Sequence, residues 1–347
     1  MSRQISSFTL KQTLEAMPLV FNPQAMPGLT AVIQFNVSGS EPGVYTLQIA
    51  NNTCVFRAGA SSAPTLSINT PSEIWMGIVR GEINGQEALQ KGLYTVQGDF
   101  SLLSKWGALF QRGGNPDLHA PAGQRPAGPL PWSGTVWMTV AFIPWIIHWI
   151  SFGSFGLSPL VSIGLPWLLA ALIVAYRSRY NRPDWLELGG VAFFTLAGIL
   201  TLADVRIFQT WGSIWSNLFL GLLWLISLLT GQEPLSLQYV KWNFDRRLWS
   251  YSLFIYINAA ISLVWGFQSI LGGIFGGLGI LFAGHSVVFI ILRYLTLLPA
   301  YYFTSWYPKA GMQKPVKDTD RAMRRLRAIS VAGIVLIAFE LVFSLMI

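Results

Sequence analysis

Seven apolar segments, at about 135–155, 159–176, 185–204, 211–230, 251–272, 276–298 and 328–346, decide what the second half of this chain can become. In lipid a backbone must satisfy its own N–H and C=O groups, and a helix of about 20 residues crosses a hydrocarbon core about 30 Å thick. Each segment reaches or nearly reaches that length. Residues 132–347 therefore read as an all-α polytopic membrane domain of about seven spans. Composition agrees, because 52% hydrophobic residues, 11% charged residues and a mean hydropathy of +0.48 lie outside the soluble average.

The charge pattern orients these spans. Residues 1–130 carry 8 Lys/Arg against 7 Asp/Glu, whereas residues 131–347 carry 15 against 8, so most of the net +8 belongs to the apolar half. The basic residues sit in alternate loops: Arg177, Arg179 and Arg182; Lys241, Arg246 and Arg247; and seven between Lys309 and Arg327. The other loops hold none, or only Arg206. By the positive-inside rule the three basic loops are cytoplasmic. Seven spans then place the amino-terminal domain in the cytoplasm and Ile347 outside. No apolar run beside a cleavage site follows Met1, as a cytoplasmic start requires. Trp and Tyr near the span ends, among them Trp137, Tyr176, Trp242, Tyr301 and Trp306, fit the headgroup level.

Polar residues inside the spans are few. Glu187, Asp204 and Arg206 lie at span ends, where water is expected close by, and Arg293 lies about a turn and a half from a cytoplasmic end, within snorkelling reach. His148, His285 and Glu340 are the better candidates for a buried polar contact. No HExxH, DDxxD-like cluster or GxSxG elbow is present, so no reaction is indicated and no catalytic residue is assigned. The run GGIFGGLGILFAG (272–284) reads as a close-packing helix face. PLSLQYVKWNFDRRLWSYSLFIYINAAISLVWG (234–266) is similar to a pattern in uncharacterised bacterial integral membrane proteins, which supplies a bacterial plasma-membrane location but no activity. Lys241, Arg246 and Arg247 could meet lipid phosphates there, although a topological charge cluster accounts for them more simply.

Ahead of the spans, Gly113–Pro131 (GGNPDLHAPAGQRPAGPLP) is too rich in Pro and Gly for regular structure and reads as a semi-extended tether, with His119 a solvated linker residue. Residues 1–112 alternate differently. Phe8 to Met17 has the spacing of a short amphipathic helix, and Leu29 to Val37, Val44 to Ala50, Thr53 to Arg57, Thr65 to Ile68 and Leu93 to Val96 read as five strands. Between the last two, Ile74, Trp75, Ile78 and Val79 fall at helical spacing until Gly81, and Asn84 caps a second short helix ended by Gly92. Gly98 breaks the fifth strand. Asp99 caps a last helix carrying Leu102, Leu103, Trp106, Leu109 and Phe110. The single cysteine, Cys54, excludes an internal disulfide framework and reads as a buried thiol; no Cys/His cluster points to a metal. No basic patch with interleaved aromatics points to nucleic acid.

The order Trp75, Gly81-Glu82, Asn84 to Ala88, Gly92, then Gly98-Asp99 before a Leu-rich helix, resembles the sterol carrier protein 2 (SCP2) sterol-binding domain, over roughly residues 8–111 and most strongly over 73–110. The resemblance implies an α+β domain: a five-stranded sheet covered by helices around an apolar tunnel for lipid, with no catalytic residues and no cofactor. The residues themselves show several apolar faces, which could also close as an ordinary core. Trp75 and Ile78 on one helix, with Phe100, Leu103, Trp106 and Phe110 on the last, offer more large apolar surface than two short helices need. They are the expected tunnel wall, with Leu29, Ile33, Phe35 and Leu66 from the sheet. The expected partner is a lipid (sterol, isoprenoid or fatty acyl) and the expected activity is lipid binding or transfer from a membrane tether. The alternative is a lipid-modifying membrane enzyme or transporter regulated by a lipid-sensing SCP2-like domain.

Overall fold

Alternating apolar and polar residues build a sheet in the amino-terminal part, and the computed structural model shows how it closes. It describes residues 8–110, 133–153, 158–180, 182–203, 205–231, 233–244 and 248–346; the tether Gly113–Pro131 with His119, and Asp204, Arg246, Arg247 and Ile347, lie outside them. The strands are β1 Ala31–Ser38, β2 Gly43–Ala50, β3 Thr53–Ala58, β4 Leu66–Pro71 and β5 Thr95–Gly98. They form one mixed sheet in the order β3-β2-β1-β4-β5, in which only the central β1–β4 pair is parallel. Asn51 and Asn52 both take positive φ (52° and 59°), the requirement of a two-residue hairpin turn between β2 and β3.

One face of the sheet is apolar. Ile33, Phe35, Leu47, Leu66 and Ile68 are fully buried on it. The other face carries a ladder of amides running across β1, β4 and β5: Gln34 donates to Asn36 (2.9 Å), Asn36 to Asn69 (2.8 Å) and Asn69 to Thr95 (3.2 Å). The fifth strand starts two residues later than its alternation implies. The Leu93 N–H is already used by the Ala88 carbonyl (2.9 Å), which closes the preceding helix and frees the chain to pair only from Thr95.

Helices cover the apolar face. They are α1 Leu10–Ala16, α2 Ser72–Arg80, α3 Gly85–Gln90, α4 Phe100–Ser104 and α5 Trp106–Leu109. A capping box between Thr9 and Gln12 opens α1. Gly81 at φ 78° ends α2, and the Asn84 side chain caps α3 through the Gln86 and Glu87 N–H groups. The helix expected from Asp99 onward is two short pieces, broken at Lys105. Its end is held elsewhere: Phe110 pairs with Phe21 in an isolated bridge, and Asn22 donates to the Leu109 carbonyl (2.8 Å).

Contacts divide the chain into two compact units. The first comprises the described part of Met1–Leu118 together with Arg247–Leu253 and Met312–Lys317. Within it the polar face of α1 meets those later segments. The Glu15 carboxylate accepts the Ser252 N–H (2.7 Å) and hydroxyl, and Gln12 donates to the Val316 carbonyl.

The second unit is helical: α6 Gly134–Gly153, α7 Pro159–Ser178, α8 Trp185–Leu202, α9 Arg206–Ile226, α10 Leu235–Val240, α11 Ser252–Leu281, α12 Ser286–Leu295, α13 Leu297–Gln313 and α14 Thr319–Met346. Among the described residues six helical stretches are long and apolar enough to cross a membrane, and the expected fourth span is a shorter apolar helix, Thr210–Ile226. The last three stretches are Ser252–Leu281, Ala283–Met312 and Thr319–Met346, which corrects the boundaries read from the sequence. The cause is the glycine run. It does not start a new span but continues α11, where Gly273, Gly276 and Gly277 let α9 approach: a Cβ at these positions would stand 2.6 Å from Leu218, 3.0 Å from Ile214 and 3.2 Å from Trp211.

Three further expectations change here, those for Glu187, Arg293 and His285. Glu187 is not beside water. It is 2% exposed, accepts a bond from Trp137 Nε1 (2.6 Å) and pairs with Arg177 (3.4 Å), itself 1% exposed and also paired with Asp184. Arg293 is not near a span end once its stretch runs from Ala283 to Met312. His148 is fully buried with Nδ1 3.1 Å from the Ser162 carbonyl, whereas His285 is exposed in the turn Ala283–His285.

Candidate functional site: the aromatic interior of the amino-terminal domain

The interior is organised around Trp75, and its placement begins at a tight turn. Gly39 (φ 85°) after β1 carries the chain so close to α2 that a Cβ there would fall 2.4 Å from Glu73 Oε2. Beyond it the Ser40 N–H donates to Glu73 Oε1 (2.8 Å), the Ser40 and Ser72 hydroxyls meet at 3.1 Å, and the Leu10 N–H donates to Glu41 (2.6 Å). This network joins α1, the β1–β2 turn and the first turn of α2. Donors from Ser40 hold the Glu73 carboxyl down to about 2, so it stays ionised at the positive end of the helix.

From that anchored turn Trp75 points inward, 3% exposed, with its ring edge-on to Phe35 at 5.0 Å, to Trp106 at 5.6 Å and to Tyr94 at 5.9 Å. Trp106 continues the contact to Phe110 at 4.6 Å, and Phe110 to Phe21 at 5.8 Å. Edge-to-face and tilted pairs at these spacings add to the stabilisation that burial supplies. The Tyr94 hydroxyl, which would be costly inside, donates to the Gly85 carbonyl (3.0 Å). Burial raises its pKa, and burial pushes the Cys54 thiol up to about 12.

The structure brings nine of the ten sequence-predicted residues into one cluster. Ile33, Phe35, Leu66, Trp75 and Phe110 are buried in it; Leu29, Ile78, Leu103 and Trp106 are partly buried against it. Phe100 is the exception. It is 53% exposed at the first position of α4, because the Asp99 cap fixes that turn with Leu102 facing inward. Sequence reasoning did not select Phe21, Tyr94, Leu47, Ile49 or Ile68 for the site, all of which share the cluster. Tyr94 and the strand residues lie at alternating positions and were detectable. Phe21 enters through its long-range bridge to Phe110, which leaves no local signal.

The half-buried members are informative about access. The sheet side is closed, with Ile33, Phe35 and Leu66 at 0% exposure, while Ile78, Leu103 and Trp106 on the helical cover retain partial exposure. The side chains packed around Trp75 are aromatic and apolar, with the Tyr94 hydroxyl turned to the Gly85 carbonyl.

Residues 12–111 match the model of the SCP-2 sterol transfer family. Similar solved structures include the crystal structure of sterol carrier protein 2 like 2 (SCP2-L2) from Aedes aegypti, 17% identical, covering 29% of this chain and 93% of that chain with a TM-score of 0.25. They also include the solution NMR structure of palmitated SCP2L2 from Aedes aegypti, 17% identical, covering 30% and 92% with a TM-score of 0.25. Curated proteins give no match. With a family model matched along the segment that forms the five-stranded mixed sheet and its helical cover, residues 12–111 are a domain of the SCP-2 sterol transfer family.

Proposed function

We propose that this protein is a membrane-tethered lipid-binding or lipid-transfer protein, in which residues 1–112 take the apolar tail of a sterol, isoprenoid or fatty acyl lipid and residues 132–347 hold that domain at a membrane through the tether 113–131. The single observation that carries the reading is the family match over residues 12–111. The apolar helices of the second unit support the membrane part. The tail enters at the helical cover, between α2 and α4–α5, where Ile78, Leu103 and Trp106 are partly exposed, and lies against Leu29, Ile33, Phe35, Leu66, Trp75 and Phe110. Phe100 is outside this wall and serves the surface. Burying about ten methylenes contributes about 8 kcal/mol before the costs of association, enough for reversible binding. On this reading the lipid-binding domain faces the cytoplasm, the side that the positive-inside rule favours for the basic loops.

The test is lipid extraction and native mass spectrometry of the purified full-length protein, followed by displacement of a fluorescent fatty acid or sterol. Co-purified lipid and saturable displacement are the expected results. A folded protein that carries no lipid and binds neither probe removes the reading and leaves residues 12–111 as a regulatory module.

A further inference from the structure

Arg293 is a charged residue set within the apolar helices. Eight residues separate it from His285, in the turn at one end of its stretch, and eight from Tyr301, where the exposed rings of Tyr301, Tyr302 and Trp306 gather towards the other. At 1.5 Å per residue, about 12 Å of helix lies on each side. If Ala283–Met312 crosses a membrane, the arginine sits near the middle of a core about 30 Å thick. A cation at that depth is costly unless something pairs with it.

Within the described residues no ion pair includes Arg293. Its Nη2 donates to the Ser213 carbonyl of α9 (3.1 Å), and a guanidinium offers five N–H donors. Neutral polar groups from three helices gather beside it. Asn217 of α9 donates to the same Ser213 carbonyl (2.8 Å), and Gln268 of α11 donates to the Thr296 hydroxyl next to α12 (3.2 Å). Asn217 Oδ1 and Gln268 Nε2 both face Gly272, and Gly276 supplies the room for the guanidinium, since a Cβ there would stand 3.4 Å from Arg293 Nη1. Beside Arg293 on α12, Ile290, Ile291 and Tyr294 are each more than half exposed and would meet lipid.

We infer that the helical half holds a second binding site, in which Arg293, flanked by Asn217 and Gln268, takes the carboxylate or phosphate headgroup of an amphiphile while its tail lies along the exposed apolar face of α12. The inference goes beyond lipid binding by residues 12–111 and rests on the membrane reading of α12. Glu340 is the competing account. Its carboxylate lies on the same glycine face of α11, with Oε2 2.7 Å from where a Gly273 Cβ would be and Oε1 buried without a partner among the described residues. A shift of α14 could bring it to Arg293 as a purely structural pair.

The experiment is photolabelling of the full-length protein in detergent with a diazirine-bearing fatty acid and, in parallel, the matching fatty alcohol, with the labelled peptides mapped by mass spectrometry. The acid labels peptides around Ser213–Asn217 and Gln268–Arg293 more than the alcohol does. Arg293→Gln lowers that labelling roughly tenfold or more, the equivalent of losing a charge-assisted hydrogen-bonded contact, and Arg293→Lys gives an intermediate value. Glu340→Gln leaves it unchanged or raises it. Equal labelling by acid and alcohol overturns the site, as does an unchanged Arg293→Gln variant, or a Glu340→Gln variant that loses labelling as Arg293→Gln does. Displacement of the label by inorganic phosphate alone overturns the amphiphile and assigns the site to a free anion. If Arg293→Gln no longer purifies as a folded protein, Arg293→Lys and Gln268→Leu supply the same comparison. Labelling within residues 12–111 is read from the same digest and reports the proposed function separately, so either can fail alone.

Discussion

The two interiors of this protein handle polarity in opposite ways. In the amino-terminal domain the Gln34–Asn36–Asn69–Thr95 ladder runs over the face of the sheet opposite the core, Glu73 works at the surface, and the side chains packed on Trp75 are aromatic. The helical unit does the reverse: it buries Arg177 and Glu187 among apolar helices and holds Arg293 partly buried there. An interior without charge suits a ligand that has none at its buried end. An interior that retains charge must pair each one, and the difference shows where pairing is complete and where it is not.

The comparison breaks most sharply at Arg177. Arg177→Met leaves Glu187 buried beside Trp137 without its cation and should cost about 3–5 kcal/mol, read as a large fall in thermal midpoint of the purified protein in detergent. A midpoint close to wild type would mean that water reaches the pair and that the helical interior is not dry. The next largest effect is Leu103→Asn. If this half-buried position is ordinary core, the domain loses about 2–4 kcal/mol; if it lines a lipid, fatty-acid binding disappears with little change in stability, and paired unfolding and binding curves separate the outcomes. Thr9→Ala removes one half of the capping box on α1 and should cost about 1 kcal/mol by chemical denaturation.

Smaller effects sharpen the boundary of the apolar interior. Phe100→Ser, at an exposed position, should change stability by no more than about 0.5 kcal/mol and leave lipid binding intact; loss of binding would extend the wall beyond the buried cluster. Glu73 has a depressed pKa in the fold, so its contribution is present above the ordinary carboxylate range and is lost as pH falls toward about 2. Acid unfolding of Glu73→Gln should lack that component. Cys54, with its thiol pushed up to about 12 by burial, should react with thiol reagents near neutral pH only after denaturation.

Much of this was legible in the sequence, for physical reasons that differ by element. Gly81, Asn84, Gly92 and Asp99 act through their own backbone or the next two or three residues, so their roles could be read locally. The inward set Ile33, Phe35 and Leu66 followed from alternation. What escaped depends on distant partners. Lys105 breaks the last helix because Phe21 and Asn22 hold its far end, and Glu187 is buried because Trp137 and Arg177 come to it. The last spans were misdivided although the glycine run was read as a packing face, because how far α11 continues through it depends on the α9 side chains that occupy the space over Gly273, Gly276 and Gly277.

The bridge between Phe21 and Phe110 has a consequence for synthesis. It joins the first residues after α1 to the last residue of the domain, and the parallel β1–β4 pair at the sheet centre forms only after two hairpin strands have been passed. A chain leaving the ribosome can build β1, β2 and β3 in order, but its aromatic interior stays open at one side until Phe110 has emerged. The first apolar helix, α6, begins at Gly134, beyond the tether. A nascent domain therefore leaves Trp75 and Phe35 incompletely covered until Trp106 and Phe110 have been made, and the first apolar helix is made soon afterwards.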